Sequence, residues 1–377
     1  MIVYLSLDIL ILALGLFFAK NRLRVGKREV NSRCWFFILS SIVLIFISSF
    51  RGDFSSDYSG YVDMYNRYMR YPLDSILSRG LFTYPEKGYL LFQYFVKEIF
   101  GDPIYLFIFS SILIVVANML HLFKYTKDDV LAVMLFLEAG VYYSSFNLMR
   151  QAMAAAIVVL GSKYLYERRV IPYLIIIIVA SLVHTTALVM IPFYFLCTIR
   201  VGKKNIILYV VMFAAIALLL PYGVSFVQGY YWEWYNTSTA VGYSWKNIVL
   251  PASIAGFAIV NYLVNRSDYE DDINSKTRIV TEKHNIFGNS KKTVSVDLNV
   301  IWLNATFLYL TFYLLGLQLR MAQRFASFFS LYAICFYANQ VTKSKYRDII
   351  VLATIILLIA FGYITKTDFP YYFIWSK

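Results

Sequence analysis

The sequence predicts an all-α fold, a polytopic bundle of helices that cross a membrane. Hydrophobic residues make up 60% of the 377 residues, charged residues make up only 15%, and the mean hydropathy is +0.61. A water-soluble protein of this composition would expose large apolar patches. Apolar runs of roughly 16 to 21 residues, close to the length of a membrane-crossing helix, recur along the whole chain. We therefore expect a single integral membrane domain over residues 1–377.

Most of the apolar runs are predicted to be spans, and two further segments are interpreted separately. The predicted spans are residues 2–19, 34–50, 103–123, 129–146, 151–166, 206–222, 247–265, 299–317, 325–341 and 347–365. The run at residues 90–100 is too short to cross, and we expect it to lie at the interface. The run at residues 172–199 is too long for one straight span and has His184 near its middle. We predict a re-entrant or broken hairpin there, which membrane proteins tolerate only around a polar cavity.

The basic residues predict which loops lie on which side of the membrane. The net charge is +13, but Lys and Arg occupy short loops rather than one face of a soluble domain, so nucleic-acid binding is not expected. Short loops that are rich in Lys and Arg stay in the cytoplasm. This rule places residues 266–298 inside as a polar loop. The segments placed outside are the loop 51–102, with its amphipathic helices, and residues 147–150, 223–246 and 319–324.

Cofactor and metal chemistry lack their usual carriers in this sequence. The chain has only 3 histidines, and Cys34, Cys197 and Cys335 lie in apolar runs as small hydrophobic residues. It contains no G-x-G-x-x-G, P-loop, H-E-x-x-H or G-x-S-x-G motif. No metal and no cofactor are therefore expected.

The segment after the second predicted span carries a row of tyrosines. From Asp57 to Arg70, aromatic and apolar residues recur at helical spacing, and charged residues take the other positions. The pattern predicts an amphipathic helix on the outer surface, and an aromatic belt that anchors the loop explains the tyrosines equally well. A belt does not explain the charged residues Arg51, Asp53 and Asp57, which crowd the outer end of the span.

Four arginines are predicted to lie at the outer leaflet. Arg150 follows Asn147, a candidate N-cap, so its guanidinium and the N–H groups of a first helical turn would point at one spot. Arg320 and Arg324 share a helix face, where like charges repel unless an anion lies between them. Together with Arg51, these arginines favour a phosphate ligand.

Short motifs occur in a fixed order over most of the chain. They are Arg51 with Asp57-Tyr58 and Tyr61; Glu86-Lys87-Gly88-Tyr89; Asn147 with Arg150-Gln151 and the alanines after it; His184 with Thr186-Ala187; and Arg320 or Arg324 with Phe325. In this order they resemble the EpsG-like, Wzy-type polysaccharide polymerases of bacterial capsule and exopolysaccharide pathways. That family often has glycine where this chain has Ser55, serine where it has Thr186, and an aromatic pair at Arg324-Phe325.

The resemblance implies a glycosyltransferase of the plasma membrane that joins lipid-linked oligosaccharide repeat units at the extracytoplasmic face. Donor and acceptor would be undecaprenyl-diphosphate-linked glycans, and a flippase and a chain-length regulator of the same pathway would be the protein partners. The arginines would bind the departing diphosphate. Candidates for the base that activates the attacking hydroxyl are Asp57, which we prefer, Asp53, Glu86 and His184. The residues expected to support this chemistry are Tyr58, Tyr61, Tyr89, Asn147 and Gln151.

Two other functions are compatible with parts of the sequence. A flippase for lipid-linked oligosaccharide would also have a cationic cavity and broken helices, but it should show two similar halves, and no internal repeat is found. A membrane acyltransferase that modifies the polysaccharide would need a histidine with a nearby carboxylate on one helix. His184 has no such neighbour in sequence.

Overall fold

The structure, a computed structural model, describes residues 2–19, 23–25, 28–30, 32–53, 57–80, 84–200, 215, 218, 222, 246–264, 278–284, 291–317, 320–366 and 371–375. The chain forms two compact units. The first comprises Met1–Leu160, Ile178–Ala187 and Val341–Lys377, and the second comprises Gly161–Ile177 and Leu188–Gln340.

Helices dominate the described residues. In chain order the elements are α1 (Ile2–Leu14, continued by a π-helical turn at Gly15–Ala19), β1 (Leu23–Val25), β2 (Arg28–Val30), α2 (Ser32–Ser49), α3 (Tyr58–Tyr68), α4 (Leu73–Leu77), α5 (Lys87–Phe100), α6 (Ile104–Tyr125), α7 (Asp129–Glu138), α8 (Val141–Ser144), α9 (Met149–Leu160), α10 (Ser162–Tyr166), α11 (Val170–Val183), a 3-10 turn (Thr185–Val189), α12 (Met190–Leu196), α13 (Lys246–Val264), β3 (Arg278–His284), β4 (Lys291–Asp297), α14 (Leu298–Leu315), α15 (Arg320–Val341) and α16 (Arg347–Lys366).

The helical membrane fold is confirmed. Among the described residues, 4 helices are long and apolar enough to cross a membrane, namely α2, α6, α14 and α16, and α1, α9, α11, α12 and α13 form shorter apolar helices. The predicted span at 206–222 lies outside the described residues, apart from 215, 218 and 222. The number of crossings therefore stays a prediction.

Two of the predicted spans are interrupted. The span predicted at 129–146 is divided into α7 and α8, because the chain turns at Gly140 in the left-handed region with φ of 87°. The span predicted at 151–166 is divided into α9 and α10 at Gly161. In both cases the apolar character of the run was predicted correctly, but its continuity as one helix was not.

The structure also contains strands, which the all-α prediction did not include. The antiparallel pairs β1–β2 and β3–β4 form two short hairpins, and the second occupies much of the polar loop predicted at 266–298. Its strands are rich in β-branched residues, including Ile279, Val280, Thr281, Val294 and Val296. Such residues favour the extended backbone.

The break predicted within residues 172–199 is present, while re-entry of this segment into the membrane stays a prediction. The hydroxyl of Tyr173 on α11 donates to the carbonyl oxygen of Met190 on α12 at 3.3 Å, and the guanidinium of Arg168 donates to the carbonyl of Tyr194 at 2.7 Å. A continuous helix would separate residues 173 and 190 by about 25 Å. The chain therefore reverses between α11 and α12, at the 3-10 turn that follows His184.

The first unit has two distinct ends. At one end Arg33 makes a bidentate ion pair with Asp129 at 2.6 and 2.8 Å, and Arg347 pairs with Asp128 at 2.9 Å. From there α2 runs to Arg51 at the other end, and α16 runs to the C-terminal segment that contacts Arg51. The rule that short loops rich in Lys and Arg stay in the cytoplasm predicts the same side of the membrane for the segments at Arg33 and Arg347, and both lie at the same end of this unit.

The C-terminal segment Tyr371–Trp375 packs against the C-terminal end of α2. Phe373 forms an antiparallel β-bridge with Arg51, the N–H of Gly52 donates to the Tyr372 carbonyl at 2.8 Å, and the hydroxyl of Tyr371 donates to Ile47 at 2.7 Å. No pattern in the sequence predicts this contact.

The amphipathic helix predicted at 57–70 is present as α3, and its apolar face packs on protein. Tyr65 and Met69 are buried in a core with Leu90 of α5 and Leu106 of α6. The row of tyrosines is therefore a packing face of the first unit. Packing explains these residues better than an aromatic belt that anchors the loop.

Candidate active site

The centre of the site is the buried carboxylate of Glu86, which holds groups from two distant segments. Its Oε2 accepts from Nη1 of Arg150 at 2.6 Å, and its Oε1 lies 3.0 Å from Nδ1 of His184. Oε1 also accepts from the backbone N–H of Thr185 at 3.2 Å. Glu86 is only 5% exposed. One carboxylate thus joins the starts of α5 and α9 to the end of α11.

Local structure explains why each group points into the site. Glu86 is the N-cap residue of α5, and Arg150 lies in the first turn of α9. The N–H of His184 still donates to Ala180 at 2.9 Å, which completes α11. The chain then leaves the α-helical path, so the N–H of Thr185 is available to Glu86.

The electrostatics of the cluster keep Glu86 ionised. Burial by itself raises the pKa of Glu86, but the hydrogen bond with His184 and the positive charge of Arg150 outweigh burial and lower the pKa to about 2. A carboxylate can only accept hydrogen bonds, so Nδ1 of His184 carries the proton that lies between them. In a neutral ring, Nε2 then holds the basic lone pair.

Arg150 is enclosed by aromatic rings as well as paired with Glu86. Its guanidinium lies 4.7 Å from the ring centre of Tyr84 and 5.6 Å from that of Tyr89. Its Nε is buried and has no hydrogen-bond partner among the described residues. The sequence predicted the position of Arg150 at a helix start, but it did not predict that a carboxylate would offset its charge.

Asn147 was expected to cap the helix of Arg150, and the structure assigns it a different contact. Helix α9 begins at Met149, and the side-chain Oδ1 of Asn147 makes no hydrogen bond within the described part of the chain. Its backbone carbonyl instead accepts from the hydroxyl of Tyr61 at 3.0 Å. This bond ties α3 to the segment that leads into α9.

Arg51 lies close to the site but is fully buried. Its guanidinium donates to the carbonyl oxygens of Ser48 and Phe146 and lies 4.7 Å from the ring centre of Phe107. The ring of Tyr58 stacks on Phe107 at 4.5 Å. No carboxylate pairs with Arg51 among the described residues, and its Nε has no hydrogen-bond partner there.

The remaining predicted site residues occupy varied positions. Asp57 is half-buried at the start of α3, where its carbonyl accepts from the N–H of Tyr61 at 3.0 Å, and Asp53 is exposed. Gln151 is buried next to Arg150 in sequence. Arg320 begins α15 and the half-buried Arg324 lies one turn later, both in the second unit.

Sequence reasoning missed the pairing of Glu86 with His184, which are 98 residues apart. Each residue was a candidate for a separate reason, Glu86 because of its motif and His184 because of its depth in an apolar run. The helix break at His184 was the one local signal that this ring faces a polar group.

Comparison with known protein families gives a match over most of the chain. The model of the EpsG family matches residues 34–375, which is nearly the whole chain and includes every residue of the site. Searches of curated proteins and of solved structures found no match. The chain is a helical membrane protein and belongs to the EpsG family.

Proposed function

We propose that the protein polymerises lipid-linked oligosaccharide repeat units in capsule or exopolysaccharide synthesis, as a membrane glycosyltransferase. Polyprenyl-diphosphate-linked glycans would serve as both donor and acceptor. The observation that carries the proposal is the buried Glu86 carboxylate, shared between the cation Arg150 and the ionisable ring of His184. Membership of the EpsG family supports an exopolysaccharide-related polymerase.

His184 is the base in this proposal. Glu86 is a poor base because its pKa is about 2 and both of its oxygens accept hydrogen bonds. It can instead orient the histidine ring and stabilise the imidazolium that forms when His184 takes a proton. Asp57, preferred on sequence grounds, becomes the alternative base.

The arginines would stabilise the leaving group. Arg51 and Arg150 each keep a buried Nε–H without a hydrogen-bond partner among the described residues. Guanidinium groups stay charged and bind phosphate oxygens in bidentate fashion. The positive charges of these two guanidinium groups would stabilise a diphosphate that departs at this end of the first unit, and Arg320 and Arg324 remain candidates for the same role.

The proposed step balances without a metal or a redox partner. The hydroxyl oxygen of one lipid-linked unit forms a bond to the anomeric carbon of the growing chain. The bond between that carbon and the diphosphate oxygen breaks, and undecaprenyl diphosphate leaves with the electron pair. The hydroxyl proton passes to Nε2 of His184.

We expect His184→Gln to leave lipid-linked single repeat units and Asp57→Asn to give a normal polymer ladder on a gel of lipid-linked glycans. Loss of a general base typically lowers the rate about 10² to 10⁴-fold, which is enough to stop chain growth. Asp63→Asn, an exposed position on α3, is the matched control for Asp57. Single repeats with Asp57→Asn and a ladder with His184→Gln would assign the base to Asp57.

We propose that the site faces the extracytoplasmic side of the plasma membrane, where a flippase would deliver the substrate and a chain-length regulator would act. In a variant without Cys34, a cysteine at the exposed Ser59 should react with an impermeant thiol reagent in intact cells, and one at the exposed Lys345 should not. Labelling of Lys345→Cys with protection of Ser59→Cys would reverse the proposed orientation.

A membrane acyltransferase is a second candidate on one specific observation. His184 has a carboxylate partner after all, because Glu86 lies 3.0 Å away although it is remote in sequence. Loss of an acyltransferase would leave polymer length unchanged and remove acyl groups from the product. The same gel of lipid-linked glycans separates the two functions, since only loss of a polymerase produces single repeats.

A further inference from the structure

The start of α5 and the end of α11 touch through their backbones at one point. A Cβ built on Gly88 would lie 2.7 Å from the carbonyl oxygen of Leu182, 2.9 Å from its carbonyl carbon and 2.8 Å from its Cβ. None of these atoms is the mobile end of a side chain, so neither segment can yield by changing a rotamer. Only glycine permits this approach.

The contact lies two residues from each partner in the site. Gly88 follows Glu86 by two positions, and Leu182 precedes His184 by two positions. The separation of the two backbones at Gly88 therefore sets the separation between the Glu86 carboxylate and the groups that follow α11. These groups are the ring of His184 at 3.0 Å and the N–H of Thr185 at 3.2 Å.

We infer that Gly88 is a positioning residue: its missing Cβ lets the end of α11 lie against the start of α5, closely enough for His184 and Thr185 to reach Glu86. The inference rests on the proposed function, in which Glu86 and His184 act together. It adds a residue that neither binds substrate nor transfers a proton, but that fixes the geometry of those that do.

The size of the effect follows from the distances. Ordinary contacts of a Cβ begin near 3.4 Å, so an added methyl group would separate the two backbones by roughly 0.7 Å relative to 2.7 Å. A separation of that size would lengthen the hydrogen bond between His184 and Glu86 from 3.0 Å to roughly 3.7 Å, which is no longer a hydrogen bond. The bond from Arg150 to Glu86 comes from α9, which does not take part in this contact.

The test is Gly88→Ala in the purified full-length protein, assayed for chain growth on a lipid-linked repeat unit. We expect the maximal rate to fall about 100-fold, the order expected for a misplacement of this size. The KM for the donor should stay within about twofold, because the arginines are not displaced. Because a loss of folded protein would also lower the maximal rate without changing KM, the rate is expressed per folded protein, quantified by size-exclusion chromatography of each variant.

Gly60→Ala is the matched control, since a Cβ at Gly60 on α3 meets nothing within 4 Å. It should match the wild type in rate and in KM. Leu182→Ala should also match the wild type, because the contact involves the backbone and Cβ of Leu182 rather than the end of its side chain.

His184→Gln in the same assay separates failure of the inference from failure of the proposed function. An impaired His184→Gln with a wild-type Gly88→Ala would overturn the inference alone. Wild-type rates for both variants would contradict the proposed function, in which Glu86 and His184 act together. A Gly88→Ala protein that does not accumulate in a folded form would also overturn the inference, because the contact would then serve folding in general.

Discussion

Replacing Glu86 with glutamine is expected to abolish chain growth, with a loss of about 10² to 10⁴-fold in rate. The buried carboxylate accepts from Arg150 through one oxygen and from His184 and Thr185 through the other. Glutamine has the same shape but only one acceptor oxygen, so its NH₂ would face a donor. The measurement is the rate of polymer formation by variants present in the membrane at equal amounts.

Two controls separate catalysis from stability for Glu86. Glu98→Gln changes an exposed carboxylate on the same helix, paired with Lys97 on the surface, and should polymerise at the wild-type rate. Glu86→Gln leaves the buried Arg150 without its partner, which can cost about 3 to 5 kcal/mol. The double variant Glu86→Gln with Arg150→Gln removes both charges and should accumulate normally, yet remain inactive. Wild-type activity of Glu86→Gln would contradict the role of the pair.

Replacing Arg150 with lysine is expected to lower the rate about 10²-fold or more while the protein still folds. Lysine keeps a positive charge for the ion pair with Glu86, so the buried carboxylate is not left alone. It does not reproduce a planar guanidinium that lies over the rings of Tyr84 and Tyr89. The measurement is the rate of chain growth at saturating donor and at low donor concentration.

Arg67→Lys is the matched control for Arg150→Lys, because Arg67 is exposed on α3. This variant should polymerise at the wild-type rate. An Arg150→Lys variant that polymerises at the wild-type rate would limit Arg150 to the structural role of pairing with Glu86. The diphosphate would then have to be bound by other arginines.

Hydropathy predicted the membrane fold because an apolar run of membrane length crosses a bilayer almost always as a helix. The break at His184 was predictable for the same reason, since the run was too long and carried an ionisable group. The interruption at Gly140 was not, because a left-handed glycine does not lower the hydropathy of the run around it. The hairpin β3–β4 was not predicted either, because it lies in a polar segment and hydropathy identifies only apolar spans.

The sequence predicted the residues of the site but not how they are arranged. Motif order brought Glu86, Arg150 and His184 into consideration, but their joint geometry depends on three helices packing together, which no local pattern encodes. Asp57 was preferred because it is close to Arg51 in sequence, whereas the structure gives His184 the carboxylate partner. The contact of Phe373 with Arg51 joins residues more than three hundred positions apart and left no signal in either segment.

The most direct test of polymerisation at the Glu86 site is reconstitution of the purified protein in liposomes with a lipid-linked repeat unit as the only substrate. We expect a ladder of longer lipid-linked glycans and one undecaprenyl diphosphate released for each new linkage, with neither formed by Glu86→Gln. Movement of the lipid-linked unit between leaflets without lengthening or release of undecaprenyl diphosphate would contradict polymerisation and identify a flippase.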